Sequence, residues 1–235
     1  ADWIIEVVKE DLDIKRKVFA QVAKHRRPGS VVTSNTSGIS IAAMAEGLDD
    51  DFRKHFLGTH FFNPPRYLKL LEIIPGPDTD PEVVEAMDTF VDVRLGKGVV
   101  VARDTPNFVG NRIGVFAMLD AVRAMDETGL SIEEVDTLTG PLIGHPKSAT
   151  FRTADLVGID VIGLVAGNVH RGCPEDESRA SFEVPGPIAK VIEHGFLGDK
   201  TGSGFYRKVK GPGGKSAIET LDLDTFEYRP KAKAR

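Results

Sequence analysis

The 235-residue sequence predicts an α/β fold, with a partial doubly wound sheet over residues 1–104 and an all-helical C-terminal domain over residues 105–235. Three features carry this expectation. Short β-branched runs alternate with helical stripes through the first hundred residues, the pattern of parallel β-α-β units. Beyond Asn107 the strands give way to long segments of helical spacing. Asp80-Pro81 and Thr105-Pro106 each join a capping side chain to a proline at the first helical position.

Taken in order, Trp3 to Val8 is a nearly continuous apolar run, the mark of a strand covered on both faces. Asp11 can cap a helix whose Leu12, Lys15, Val18, Phe19 and Val22 make one stripe before Pro28-Gly29. Val31-Val32-Thr33 is a second strand and Ile39 to Ala45 a short helix. Two further apolar runs meet at Asn63-Pro64-Pro65-Arg66, a segment with strong turn chemistry, so they are expected to pair as antiparallel strands. A helix from Asp80-Pro81 to Leu95 and a strand over 98–102 complete the α/β part. A long helix over 107–128 opens the second domain, and Ser131-Ile132-Glu133-Glu134 is a capping box for the next. Helices are expected at about 153–168 and 185–194, while 211–215 and the basic tail from Lys231 read as a loop and a frayed end.

Composition excludes several classes of function. A hydrophobic fraction of 41% and a charged fraction of 28% are ordinary for a globular chain. The formal charge of −5, from 30 basic and 35 acidic residues, gives no footprint for nucleic acid. A single cysteine, Cys173, excludes an intramolecular disulfide and suits a reducing compartment. No apolar run approaches the roughly 20 residues of a membrane helix. A cytoplasmic protein without membrane or metal is therefore expected. The chain is already in a buried-looking strand by Ile4, so a preceding segment is expected as well.

The polar residues that interrupt the apolar runs of Val31 to Pro75 are the candidate chemistry. Ser37 follows the second strand, His60 sits inside the third run and Glu72 inside the fourth. With Arg66 at the middle of the connection, His60 and Glu72 stand opposite one another, and opposed side chains in an antiparallel pair have Cβ atoms roughly 4.5–5.5 Å apart. A carboxylate on one imidazole nitrogen fixes the tautomer and leaves the other free as a general base. A satisfied core histidine is the plain alternative. Ser37, His60, Asn63 and Glu10 all fall at predicted strand ends, where α/β sheets place ligands, and Asn111 begins the long helix that can reach the same crevice. Such a set could serve a hydrolase, but Thr36-Ser37-Gly38 has no glycine two residues before the serine, as a nucleophile elbow needs. In a dehydrogenase His60 would take a hydroxyl proton while Ser37 and Asn111 hold that oxygen.

Five motifs then occur in order: Ser34-Asn35-Thr36-Ser37, Gly58 to Pro64, Leu71-Glu72-Ile73-Ile74, Asp104 to Arg112, and Lys200-Thr201-Gly202-Ser203-Gly204-Phe205-Tyr206. Together they resemble the L-3-hydroxyacyl-CoA dehydrogenase family over residues 1 to about 207. The resemblance implies a Rossmann-type NAD-binding domain, NAD as cofactor, and oxidation of an L-3-hydroxyacyl-CoA to its 3-oxo form in fatty-acid β-oxidation. It implies catalytic roles for His60, Glu72, Ser37 and Asn111, and substrate contacts from Ser37 and Asn111. It further implies cofactor contacts from Glu10, Lys15, Asn63 and Lys200. The implied partners are the acyl-CoA substrate, a second copy through the helical domain, and a fused or associated enoyl-CoA hydratase, which the wording of the first motif and Leu221 to Asp224 suggest. The family's Gly-x-Gly-x-x-Gly turn is not in this sequence, so weak NAD binding is expected of these 235 residues alone. Two other readings are a dehydrogenase of a small hydroxy acid, which should carry a lysine where Asn111-Arg112 stand, and a non-catalytic helical dimerisation module.

Overall fold

The structure, a computed structural model, describes residues 1–210 and 216–234. Its contacts divide the chain into two units, Ala1–Asn111 and Arg112–Arg235.

The first unit is built on a five-stranded sheet in sequence order: β1 (Trp3–Glu6), β2 (Val31–Ser34), β3 (Phe56–Phe61), β4 (Leu70–Pro75) and β5 (Gly98–Val101). Neighbours run parallel except β3 and β4. Helix α1 (Leu12–His25) makes the first crossover; the Asp11 side chain accepts from the Ile14 amide, and the apolar stripe drives Phe19 into the core against Phe52 and Phe56. Two short helices follow β2, α2 (Ile41–Ala45) and α3 (Asp50–Lys54). Helix α4 (Pro81–Leu95) has the capping aspartate and leading proline read from the sequence, and it stops at Gly96, whose φ of 66° places it in the left-handed region. Phe19, Val32, Ile41, Met44, Phe52 and Ile74 form one apolar layer, and Leu57, Leu71, Ile73, Met87 and Val91 a second.

The strand expected over Trp3 to Val8 is shorter and less covered than its apolar run suggests. β1 pairs only with β2, ends at Glu6, and leaves Ile5, Val7 and Val8 exposed. The helix expected from Asn107 begins at Gly110 instead, as α5 (Gly110–Thr128). Asn107 and Phe108 have φ of 59° and 50°, left-handed values that interrupt a helix. The Asp104 carboxylate, just before this turn, accepts from Ser40 Oγ and the Ile41 and Ala42 amides at the start of α2.

The second unit packs α5 with α6 (Ile132–Leu138), α7 (Phe151–Val157), α8 (Ile159–Gly172) and α9 (Gly186–Glu193) around Leu119, Phe151, Ile159, Ala166 and Val191. The capping box at Ser131 and Glu134 is formed. The single helix expected over 153–168 is two helices, broken at Gly158 with φ 103°. The unit is also not helical throughout. It carries an antiparallel sheet of β6 (Tyr206–Lys210), β7 (Ser216–Leu221) and β8 (Tyr228–Pro230). Its alternation is hard to read because the exposed positions mix Lys208, Lys210 and Ser216 with the apolar Ile218, and in β6 and β7 only Tyr206, Thr220 and Leu221 are buried. The loop expected at 211–215 lies outside the described residues. The tail expected to fray is held at its start: the Lys231 amide donates to the Ile218 carbonyl and the Ala232 amide to Glu133.

Candidate active site

The register of β3 and β4 is the one the turn chemistry predicts, with His60 facing Glu72. His60 Nδ1 lies 2.7 Å from Glu72 Oε2. Both side chains are almost completely buried, Glu72 at 0% exposure. The other carboxylate oxygen, Oε1, accepts from the amides of Val109 and Gly110 at 2.8 and 2.7 Å. These are opening amides of α5, and the two left-handed residues before them turn the chain so that both aim at Glu72. Burial alone raises the Glu72 carboxyl; the hydrogen bonds from His60 and from the Gly110 and Val109 amides outweigh it and hold the carboxyl below its ordinary value. It is therefore an ionised acceptor at neutral pH, able to hold Nδ1–H of the imidazole. The ring itself packs against Phe62 and Phe108, at centroid distances of 4.6 and 5.8 Å. Among the described residues no protein group bonds its Nε2.

A second cluster gathers at the ends of β1 and β2. Glu10 Oε1 accepts from Thr36 Oγ1 at 2.5 Å and from the Ser37 amide at 2.9 Å, so the carboxylate fixes the turn that presents the exposed Ser37 hydroxyl. Asn35 Oδ1 accepts from the Phe61 amide and ties this turn to the end of β3, one residue from His60. Gly38 lets the turn approach the loop after β5 closely, since a Cβ there would lie 2.7 Å from Asn107 Oδ1.

The eight residues singled out from the sequence fall into three groups. His60 and Glu72 are bonded, and Glu10 and Ser37 are bonded. Asn63 is exposed just past β3, and Asn111 is half-buried on the first turn of α5 next to the Glu72-bound amides. Lys15 is 1% exposed, with Nζ 2.9 Å from both oxygens of Glu6 and 3.2 Å from Glu10. Lys200 belongs to the second unit, where its ammonium pairs with Asp160. Sequence reasoning missed Glu6, Phe62 and Phe108. An acidic residue inside a strand otherwise apolar was the available signal for the first.

The Gly202-Ser203-Gly204 stretch has a separate explanation. A Cβ on Gly204 would lie 2.0 Å from Asp155 Oδ1, and one on Gly198 would lie 2.3 Å from the Asp155 carbonyl oxygen. The glycines admit a buried carboxylate that accepts from the Phe205 and Tyr206 amides at 2.8 and 2.9 Å. A cavity of about 1540 Å³ is also in the second unit, between α6, β6–β7 and the tail, and none of the eight residues lines it. Size does not locate the chemistry here; the strand ends of the first unit do, because the unpartnered imidazole nitrogen and the hydroxyl are there.

A mostly parallel sheet is followed by a largely helical unit, and an imidazole–carboxylate pair and a hydroxyl stand at the sheet's strand ends, the two-domain α/β class of architecture. The family models agree: "3-hydroxyacyl-CoA dehydrogenase, NAD binding domain" matches residues 1–105 and "3-hydroxyacyl-CoA dehydrogenase, C-terminal domain" matches 108–208. The chain belongs to the 3-hydroxyacyl-CoA dehydrogenase family. It is 53% identical over 235 residues to a probable 3-hydroxyacyl-CoA dehydrogenase of Bacillus subtilis, covering 100% of this chain and 29% of that protein. It is 32% identical over 228 residues to a putative fatty acid oxidation complex trifunctional enzyme of Rickettsia felis, covering 97% of this chain and 32% of that one. The chain thus spans under a third of either relative's length. The crystal structure of FadB2 from M. tuberculosis superposes with a TM-score of 0.79 at 32% identity, over 88% of this chain and 71% of that one.

Proposed function

We propose that this chain carries the hydroxyl-oxidising centre of an NAD-dependent dehydrogenase that converts an L-3-hydroxyacyl-CoA to the 3-oxoacyl-CoA. The observation that carries the proposal is the His60–Glu72 pair with its carboxylate locked by two helix-opening amides. His60 Nε2 accepts the proton of the 3-hydroxyl, and Glu72 stabilises the imidazolium that results. Ser37 Oγ and the Asn111 amide donate to the same oxygen as it becomes a carbonyl. Phe62 and Phe108 exclude water from one side of the ring. The donor set fits the nicotinamide end of the cofactor: Glu10, Ser37, Asn63 and Asn111 offer a carboxylate, a hydroxyl and two amides to a carboxamide and ribose hydroxyls. NAD, when bound, accepts the hydride that leaves the hydroxyl-bearing carbon. Glu10 is the residue we place beside it, with Asn63 and Lys200 as further contacts.

The metabolic role we assign is fatty-acid oxidation by the β route, which the name of the trifunctional relative supports, and the location we assign is the cytoplasm. No helix among the described residues is long and apolar enough to cross a membrane. An enoyl-CoA hydratase in the same polypeptide or associated with it is a further partner we assign. A second copy of the chain is the partner we assign to the apolar side chains Leu156, Val157, Val161 and Leu164, which α7 and α8 expose.

The test is His60→Gln in the full-length protein. Loss of a general base lowers kcat by about 10²–10⁴-fold. NAD affinity, measured by fluorescence titration, should stay within about twofold of wild type, because no cofactor contact is removed. Wild-type turnover in the variant would refute the assignment of the base.

A further inference from the structure

Glu6 is a buried carboxylate that the mechanism does not use. It lies at the end of β1, paired in register with Ser34 of β2, and is 4% exposed. It accepts from Ser34 Oγ at 2.6 Å and from the Val8 amide at 2.5 Å, and it holds the Lys15 ammonium at 2.9 Å on each oxygen. Lys15 is almost completely buried, and its ammonium also lies 3.2 Å from Glu10 Oε2. Glu10 in turn fixes Thr36 and Ser37 and is half-exposed at the carboxyl ends of the parallel strands, where α/β sheets place their ligands.

The three charges do not cancel. Glu6 neutralises Lys15 inside the protein, so the triad as a whole keeps one negative charge, and that charge sits on the carboxylate that reaches solvent. We propose that Glu6 is a positioning residue that sets the charge of the cofactor site: by holding Lys15 it leaves Glu10 uncompensated, and an uncompensated carboxylate favours the cationic nicotinamide of NAD+ over the neutral ring of NADH. This rests on the dehydrogenase reading above, and on Glu10 facing the nicotinamide within it.

The experiment measures dissociation constants for NAD+ and NADH, by calorimetry and by nucleotide fluorescence, in the full-length protein without substrate. Glu6→Gln keeps the shape and removes one charge, so Lys15 compensates Glu10. The triad becomes neutral, NAD+ affinity falls about tenfold, the size expected for one unit charge at short range in a partly solvated site, and NADH affinity holds. Glu6→Gln/Lys15→Met returns the net charge to that of wild type and restores the preference for NAD+. Removing one partner of a buried pair can prevent folding. The double replacement removes both buried charges, and a folded double variant that has lost the wild-type preference overturns the proposal even if Glu6→Gln does not fold. Equal weakening of both nucleotides in Glu6→Gln, or a folded double variant without the wild-type preference, overturns the proposal while leaving the dehydrogenase reading intact. A wild-type protein that binds neither nucleotide sinks both.

Discussion

Asp155 accepts the Phe205 and Tyr206 amides in a position 1% exposed, with Arg152 3.9 Å away. Burial is the dominant influence and pushes its carboxyl up from 3.8 to about 7, against the opposing amides and Arg152. The sign of the linkage follows. The folded chain holds this proton more tightly than the unfolded chain, so the stabilisation is complete below about pH 4 and is lost as pH rises through about 7. Asp155→Asn removes the titration. Urea unfolding at several pH values should show wild type losing stability relative to the variant between about pH 4 and 7, by an amount on the order of a few kcal/mol. A constant difference across that window would contradict the assignment. At this scale the sequence is legible where a polar residue interrupts an apolar run at a strand end, as His60, Glu72 and Ser37 do. It is opaque where two charges consume one another. Lys15 falls in the apolar stripe of its helix, and only the coordinates show its ammonium paired with Glu6.

The β3–β4 hairpin and α4 were readable because local chemistry fixes both ends of each: a proline-rich turn for the register, and Asp80-Pro81 with Gly96 for the helix. The start of α5 was not, since Thr105-Pro106 carries a helix-start signature while Asn107 and Phe108 take left-handed conformations that propensity disfavours. Tertiary bonds to Glu72 override the local signal. Gly110 at this helix start is packed tightly: a Cβ would meet Phe62 Cζ at 2.5 Å. Gly110→Ala therefore has to displace the ring that packs on His60. Denaturant unfolding should report a loss of about 1–3 kcal/mol, the usual cost of overpacking. Unchanged stability would show that Phe62 yields freely. The β6–β8 sheet escaped the sequence reading for a different reason, because lysines on its open face hide a two-residue period.

Over the whole molecule, five motifs in order along about 207 residues sufficed to place the family, since each marks a contact that the fold must make. The exposed apolar side chains of α7 and α8 could not be located from sequence, because a helical stripe does not say which neighbour covers it. Leu164, 61% exposed, is central to the assigned contact with a second copy. Leu164→Glu should shift the full-length protein from dimer to monomer in sedimentation analysis, with a dissociation constant raised at least about tenfold by a buried, unpaired charge. A wild-type protein that sediments as a monomer, or a variant that still sediments as the wild-type dimer, would remove that face as the interface.

The opening amides of α5 end on a carboxylate whose other oxygen holds the imidazole. A rigid helix bonded in this way works as a gauge. Any small slide along its axis lengthens two bonds to Glu72 and withdraws donors that hold its carboxyl below the ordinary value.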